Sequence, residues 1–147
     1  MDLVESETRP TGFLAIRTLA MPADTNPAGQ IFGGWLMGQM DLAGAVHASL
    51  RAKGKVATVA VEAMKFHAPV YVGDEVSCYT TLERTGNTSL SIRIEVWVRR
   101  SGLDTHTRVT SGLFHFVAVG EDYRPRPLPP LEPHMAGDFD PCRAFTM

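Results

Sequence analysis

At 147 residues, with 44% apolar and 20% charged side chains, the chain has the makeup of one globular domain that closes its own core without staples. A net charge of −2, with no run of like charge, argues against a nucleic-acid-binding face. No apolar run reaches the ~18 residues a bilayer span needs, and Met1 to Thr11 is polar and acidic, so a cytoplasmic protein is expected.

In chain order, Phe13 to Met21 alternates in part and predicts a strand. A loop comes next, where Asn26-Pro27 predicts a turn because proline pushes its predecessor out of the α region. From Gly33 to Leu50 the pattern is helical. Gly34, Gly38, Asp41, Ala45 and Ala48 fall on one face, four of them small, and the stripe is expected to admit close approach of a sheet. The remaining helix surface is largely apolar, which predicts burial on most sides. Ala52-Lys53-Gly54-Lys55 is a basic, glycine-containing stop.

Val56 to Phe66 is rich in β-formers, and Pro69 and Gly73-Asp74 punctuate the link beyond it. Glu75 to Arg84 alternates, Gly86-Asn87 marks a hairpin, and Leu90 to Val98 places Leu90, Ile92, Ile94, Val96 and Val98 on one face. Thr107 to Val119 is apolar on both faces near its end, which predicts a central or covered strand. The expected class is α+β: one strand, one helix, then four strands in a meander, an antiparallel sheet curled around the only long helix. One domain over residues 13–120 is expected, with an extension at 1–12 and a Pro-rich, irregular tail at 121–147 that holds six of the ten prolines.

Two features carry chemistry. Orphan N–H groups at Gly33 and Gly34, with the helix dipole behind them, form a donor site for an oxygen that carries negative charge. Asp41, between Met40 and Leu42, is a mid-helix acid that is either hydrogen-bonded for structure or placed for catalysis. From Gly34 to Asp41 is about 10 Å along the axis, too far for both to reach one atom within one helix. Asn26 reads on its own as a turn or capping residue. The five histidines show no metal-ligand spacing, His115 reads as a satisfied strand histidine, and no Gly-x-Ser-x-Gly elbow is present. Cys78 and Cys142 lie far apart, and a disulfide or a reducing compartment both fit.

The stretch Met21-Pro22-Ala23-Asp24-Thr25-Asn26, with Ile31-Phe32-Gly33-Gly34-Trp35 and Gln39-Met40-Asp41-Leu42-Ala43-Gly44, closely resembles the YciA-type acyl-CoA thioesterases of the hotdog-fold superfamily, relatives of the brain-type acyl-CoA hydrolases. Val59-Ala60-Val61, Gly86 to Ser89, Glu95-Val96-Trp97-Val98 and Phe114 to Val119 extend the match across most of Phe13 to Pro129. The resemblance implies a sheet wrapped around a central helix and hydrolysis of acyl-CoA to fatty acid and CoA. It implies no cofactor, coenzyme A being part of substrate and product. It implies a homodimer with shared active sites, assembled as a trimer of dimers. Asp41 and Asn26 would act together from different protomers, as base or nucleophile and its partner, with Gly33 and Gly34 polarising the carbonyl.

Thr85 to Ser89 matches a loop that contacts the coenzyme, so Gly86, Asn87, Thr88 and Ser89 are implied ligand contacts. Family members often carry arginine where this chain has Asn87, and Arg93, Arg99, Arg124 or Arg126 would then compensate. Two alternatives stand beside this. A hotdog dehydratase or hydratase pairs its acid with a histidine near the helix start, and Pro22 to Phe32 holds none. A non-catalytic acyl-CoA-binding module would have no need of both Asn26 and Asp41.

Overall fold

The computed structural model describes residues 9–131, so Cys142, His134 and the tail beyond Leu131 lie outside the described residues. Its elements are β1 (Phe13–Leu19), a single 3-10 turn (Pro22–Asp24), α1 (Gly33–Ala52), β2 (Val56–Phe66), β3 (Glu75–Thr85), β4 (Ser89–Arg99) and β5 (His106–Ala118). The strands form one antiparallel sheet in the order β1-β3-β4-β5-β2, and α1 lies against it.

The expected four-strand meander is therefore wrong by one strand. Only β3, β4 and β5 run consecutively; β2 pairs with β5, at the far edge from β1. The reason lies in the link after β2. Its backbone groups bond neighbouring loops rather than closing a hairpin: Val70 O accepts from Ile31 N–H (3.0 Å), Gly73 N–H donates to Ala20 O (2.8 Å), and Asp74 O accepts from Ala20 N–H (3.0 Å). The link thus carries the chain past the start of α1 to the other side of the sheet.

The inner sheet face is dry. Val76 and Cys78 of β3, the five alternating residues of β4, and Phe114 and Phe116 of β5 are buried in one cluster with Leu36, Met40, Ala43 and Ala48 of α1. Each large side chain there contributes about 1.5–3 kcal/mol by leaving water. His47 of α1 is a polar group deep in this layer. Its Nδ1 lies 2.8 Å from Thr80 Oγ1, and its ring meets Phe13 edge-on.

The helix turns a different face to the sheet than the small stripe suggested. A Cβ on Gly44 would stand 2.7 Å from Phe116 Cζ and 2.8 Å from Ile94 Cδ1, so the tight approach is made at Gly44. At Gly38 a Cβ would meet nothing within 4 Å. Nor is the helix covered all round: Leu42 keeps 58% of its surface exposed, and Met37 and Val46 are also open.

The helix ends at Lys53, which adopts φ +54° and donates its N–H to Ser49 O. Arg126 then ties its last carbonyl to the chain after β5, donating through Nη2 to Ala52 O (2.9 Å) and through Nε to Val119 O (3.0 Å). Arg51 Nη1 donates to Pro129 O (2.9 Å), so residues 121–131, which form no helix or strand, are pinned to the helix end. Arg126→Ala removes two charge-assisted bonds from a half-buried site, and we expect a loss of about 1–2 kcal/mol, read as a lower urea midpoint at unchanged slope. Among the described residues no helix is long and apolar enough to cross a membrane.

Candidate active site

The loop before α1 is folded by its own short-range bonds. Asn26 Oδ1 accepts from Ala28 N–H (3.0 Å) and Gln30 N–H (3.1 Å), and Asn26 N–H donates to Gln30 O (2.7 Å). Two N–H donors fix which end of the side-chain amide faces the loop. The turn reading of Asn26 is thus correct, but it consumes only the oxygen. Among the described residues the Asn26 Nδ2 group has no partner.

Phe32 is the N-cap of α1 and supplies no side-chain cap. The N–H groups of Gly33 and Gly34, at the first two helical positions, have no intrahelical acceptor to reach. Gly33 is half-buried, and a Cβ there would press on the Phe66 ring at 3.2 Å. Asn26 and Gly33 line one cavity of about 400 Å³ together with Ile31, Leu36, Phe66 and Val70. Its lining is mostly apolar, with Asn26 and Gln30 as its polar side chains.

Asp41 lies two turns further along, half-buried, and does not line this cavity. Its Oδ1 accepts from Thr58 Oγ1 at 2.5 Å. Nothing in the sequence marks Thr58 out. Among the described residues Asp41 is therefore hydrogen-bonded through one oxygen only, and Oδ2 has no partner. The surrounding surface is open and apolar: Leu42 and Val46 on the helix, and Val59 (59% exposed) and Val61 on β2, are all exposed.

The hairpin residues Gly86, Asn87, Thr88 and Ser89 sit at the end of the sheet away from the Phe66 side of the Asn26–Gly33 cavity, level with Thr58 across β5. Gly86 N–H donates to Ser89 O, Thr88 O accepts from Ala118 N–H, and Asn87 O accepts from Leu128 N–H, each at 2.8 Å. Arg93 lies four residues up β4 from Ser89 and pairs with Glu83 at 2.5 Å. Arg99 is occupied by Glu75 (2.9 Å), a pairing that holds the Glu75 carboxyl below its usual range. Arg124 is exposed in the turn after β5; its backbone N–H donates to Asp122 Oδ1 and its backbone O accepts from Gly120 N–H, while its guanidinium has no partner among the described residues. One chain thus brings Asn26 and Gly33 together, but leaves Asp41 and the hairpin apart from them.

Other nucleophiles are present among the described residues, Ser91 and Cys78 among the buried ones. Ser91 Oγ lies 2.8 Å from His115 Nδ1, and His115 Nε2 lies 2.8 Å from Glu62 Oε1. The serine is 6% exposed and lies near the start of β4, paired to β3 and β5 on either side. His115 is the satisfied strand histidine its sequence context predicted. Cys78 is a buried free thiol whose pKa is pushed up to about 12 by desolvation, which keeps it protonated and inert. Among the described residues no three His, Cys, Asp or Glu side chains converge as metal ligands.

A sheet wrapped on one helix, with a donor site at that helix's start and a lone acid in its middle, defines an acyl-thioester-handling protein. The chain belongs to the thioesterase superfamily, whose sequence profile matches residues 28–104. It is 52% identical over 126 residues to YciA of Salmonella typhimurium, an acyl-CoA thioester hydrolase; the match covers 84% of this chain and 95% of the relative. It superposes on the hexameric thioesterase y2039 from Yersinia pestis with a TM-score of 0.80 at 50% identity, covering 83% of this chain and 100% of that one. Cj0915 of Campylobacter jejuni, a hexameric hotdog-fold thioesterase, gives a TM-score of 0.78 at 40% identity, over 82% of this chain and 93% of that one. The fold is the hotdog fold that the resemblance implied.

Proposed function

We propose that this protein hydrolyses acyl-CoA to the free acid and CoA, in the cytoplasm, at sites each completed by two protomers. One observation carries the shared site: the donors at Gly33 and Gly34 and the base Asp41 are about 10 Å or more apart along one rigid helix. A partner laid against β2 would cover Leu42, Val46, Val59 and Val61, and would bring its own Asp41 toward the Asn26–Gly33 cavity. YciA of Salmonella typhimurium is an acyl-CoA thioester hydrolase, and the y2039 and Cj0915 thioesterases are hexameric. We assign this chain the same reaction and a trimer of dimers.

In this reading the thioester oxygen accepts from the Gly33 and Gly34 N–H groups, with Asn26 Nδ2 as a further donor. Asp41 Oδ2 takes a proton from water, and the hydroxide adds to the carbonyl carbon. The tetrahedral oxyanion collapses, the carbon–sulfur bond breaks, and the thiolate of CoA receives the proton from Asp41. Thr58, bonded to Oδ1, aims the second oxygen at the water. Gly86, Asn87, Thr88, Ser89, Arg93 and Arg124 remain the proposed contacts to the coenzyme, the hairpin through its backbone and the arginines through phosphate.

A thiol-release assay with acyl-CoAs from acetyl to palmitoyl tests the reaction. Release is expected, and its chain-length profile names the substrate. A folded oligomer that binds acyl-CoA yet releases no thiol would establish the binding module instead. Co-expressing Asn26→Ala with Asp41→Asn tests the shared site: each variant alone is expected to be inactive, and mixed oligomers to regain part of the activity. No recovery from confirmed mixed oligomers would place the whole site in one protomer.

A further inference from the structure

The turn after β5 carries a residue that no step of hydrolysis uses. Gly120 N–H donates to Arg124 O and Tyr123 N–H donates to Gly120 O, each at 2.9 Å, which closes a tight turn after Val119. Tyr123 adopts φ +61°, the left-handed region that glycine fills without steric cost. A tyrosine stands there instead, with 73% of its surface exposed. Neither turn geometry nor burial calls for an aromatic ring at this position.

The ring has cationic company. Lys55 Nζ lies 5.1 Å from its centroid and is steadied by Glu121 at 3.1 Å. Arg124, the next residue, is exposed, and its guanidinium has no partner among the described residues. The turn sits at the same end of the sheet as the 86–89 hairpin, since Ala118 N–H bonds Thr88 O and Leu128 N–H bonds Asn87 O. The Lys55–Glu121 pair is solvent-exposed and therefore weak, so a phosphate of higher charge displaces Glu121 readily.

We propose that Tyr123 is a stacking platform for the adenine of CoA, with Lys55 and Arg124 taking the phosphates of its nucleotide. This rests on the acyl-CoA reading above and adds a residue to it. An exposed aromatic face flanked by cations is the arrangement that binds a purine nucleotide without reading its hydrogen-bonding edge. It also offsets the arginine missing at Asn87. Because stacking is made equally in the ground and transition states, its loss appears in KM and not in kcat.

The test compares an acyl-CoA with the same acyl group on pantetheine, which lacks the nucleotide. Wild type is expected to have the lower KM for the CoA thioester. In Tyr123→Gly that preference is expected to fall by about 10-fold, while Tyr123→Phe keeps it. Glycine suits the left-handed turn, so the variant is expected to melt no lower than wild type. Calorimetric binding of CoA and of pantetheine runs in parallel. An unchanged preference in Tyr123→Gly, in KM and in binding, overturns the platform; so does a variant whose only change is its oligomeric state. If wild type hydrolyses neither thioester but Tyr123→Gly still loses affinity for CoA alone, the platform stands and the hydrolase reading fails.

Discussion

Asp41→Asn is expected to lower kcat on acyl-CoA by about 10³-fold and to leave the fold, the assembly and CoA binding intact. The magnitude is that of a positioned general base removed from a water-activating step. Asparagine suits the test because it is nearly isosteric and its Oδ1 still accepts from Thr58 Oγ1, so the 2.5 Å contact survives. The loss is of the proton acceptor on the other side-chain position. Thr58→Val should then show the complementary pattern: the base remains but turns freely, and kcat falls by about 10-fold. Steady-state thiol release, with circular dichroism and CoA titration on each variant, decides the matter. An Asp41→Asn protein that keeps a tenth or more of wild-type kcat would remove Asp41 from the chemistry.

Asp41 is legible in the sequence and Thr58 is not, because of the default behaviour of each residue type. An acid between Met40 and Leu42 conflicts with its surroundings and calls for a reason. A threonine in Val56-Ala57-Thr58-Val59-Ala60-Val61 is an ordinary constituent of a β-strand and raises no question. The strands of the sheet are legible for a related reason. β4 has a dry face and a wetter one, and alternation records that difference directly. Alternation carries no information on partners, however, and so it joins β2 to β3 when the ladder of β2 is with β5. The bonds that decide this, from Val70 O and Gly73 N–H to the loops around Ala20 and Ile31, are made by backbone groups that leave no trace in residue type. The same holds for the pins on residues 121–131: the acceptors of Arg51 and Arg126 are the carbonyls of Pro129, Ala52 and Val119. Periodicity places the helix correctly but turns the wrong face inward. Small residues at Gly34 and Gly38 leave a side open, whereas Gly44 is small because Phe116 and Ile94 press on it. Periodicity counts these alike.

Phe116→Ala is expected to be the most destabilising single change in the core, by about 3–5 kcal/mol. Its ring is fully buried, stacks on Phe114 with centroids 6.5 Å apart, and lies directly over Gly44. Gly44→Ala alone sets two effects against each other. Alanine gains about 1 kcal/mol of helix propensity over glycine. Its methyl, however, would stand 2.7 Å and 2.9 Å from Phe116 ring atoms held in a packed core, and overpacking of that kind costs about 1–3 kcal/mol. The net expectation is a loss. In the Phe116→Ala background the ring is gone. The one close contact left is Ile94 Cδ1 at 2.8 Å, the end of a side chain that can rotate into the vacated space. There the same Gly44→Ala change is expected to stabilise by about 1 kcal/mol, since the propensity gain remains and the methyl refills part of the cavity. The sign of one substitution should therefore reverse with its neighbour, a coupling of about 1–3 kcal/mol. Denaturation midpoints of the four proteins, taken at one protein concentration because assembly contributes to stability, measure it. Equal costs of Gly44→Ala in both backgrounds would mean that the helix and sheet do not meet through this glycine.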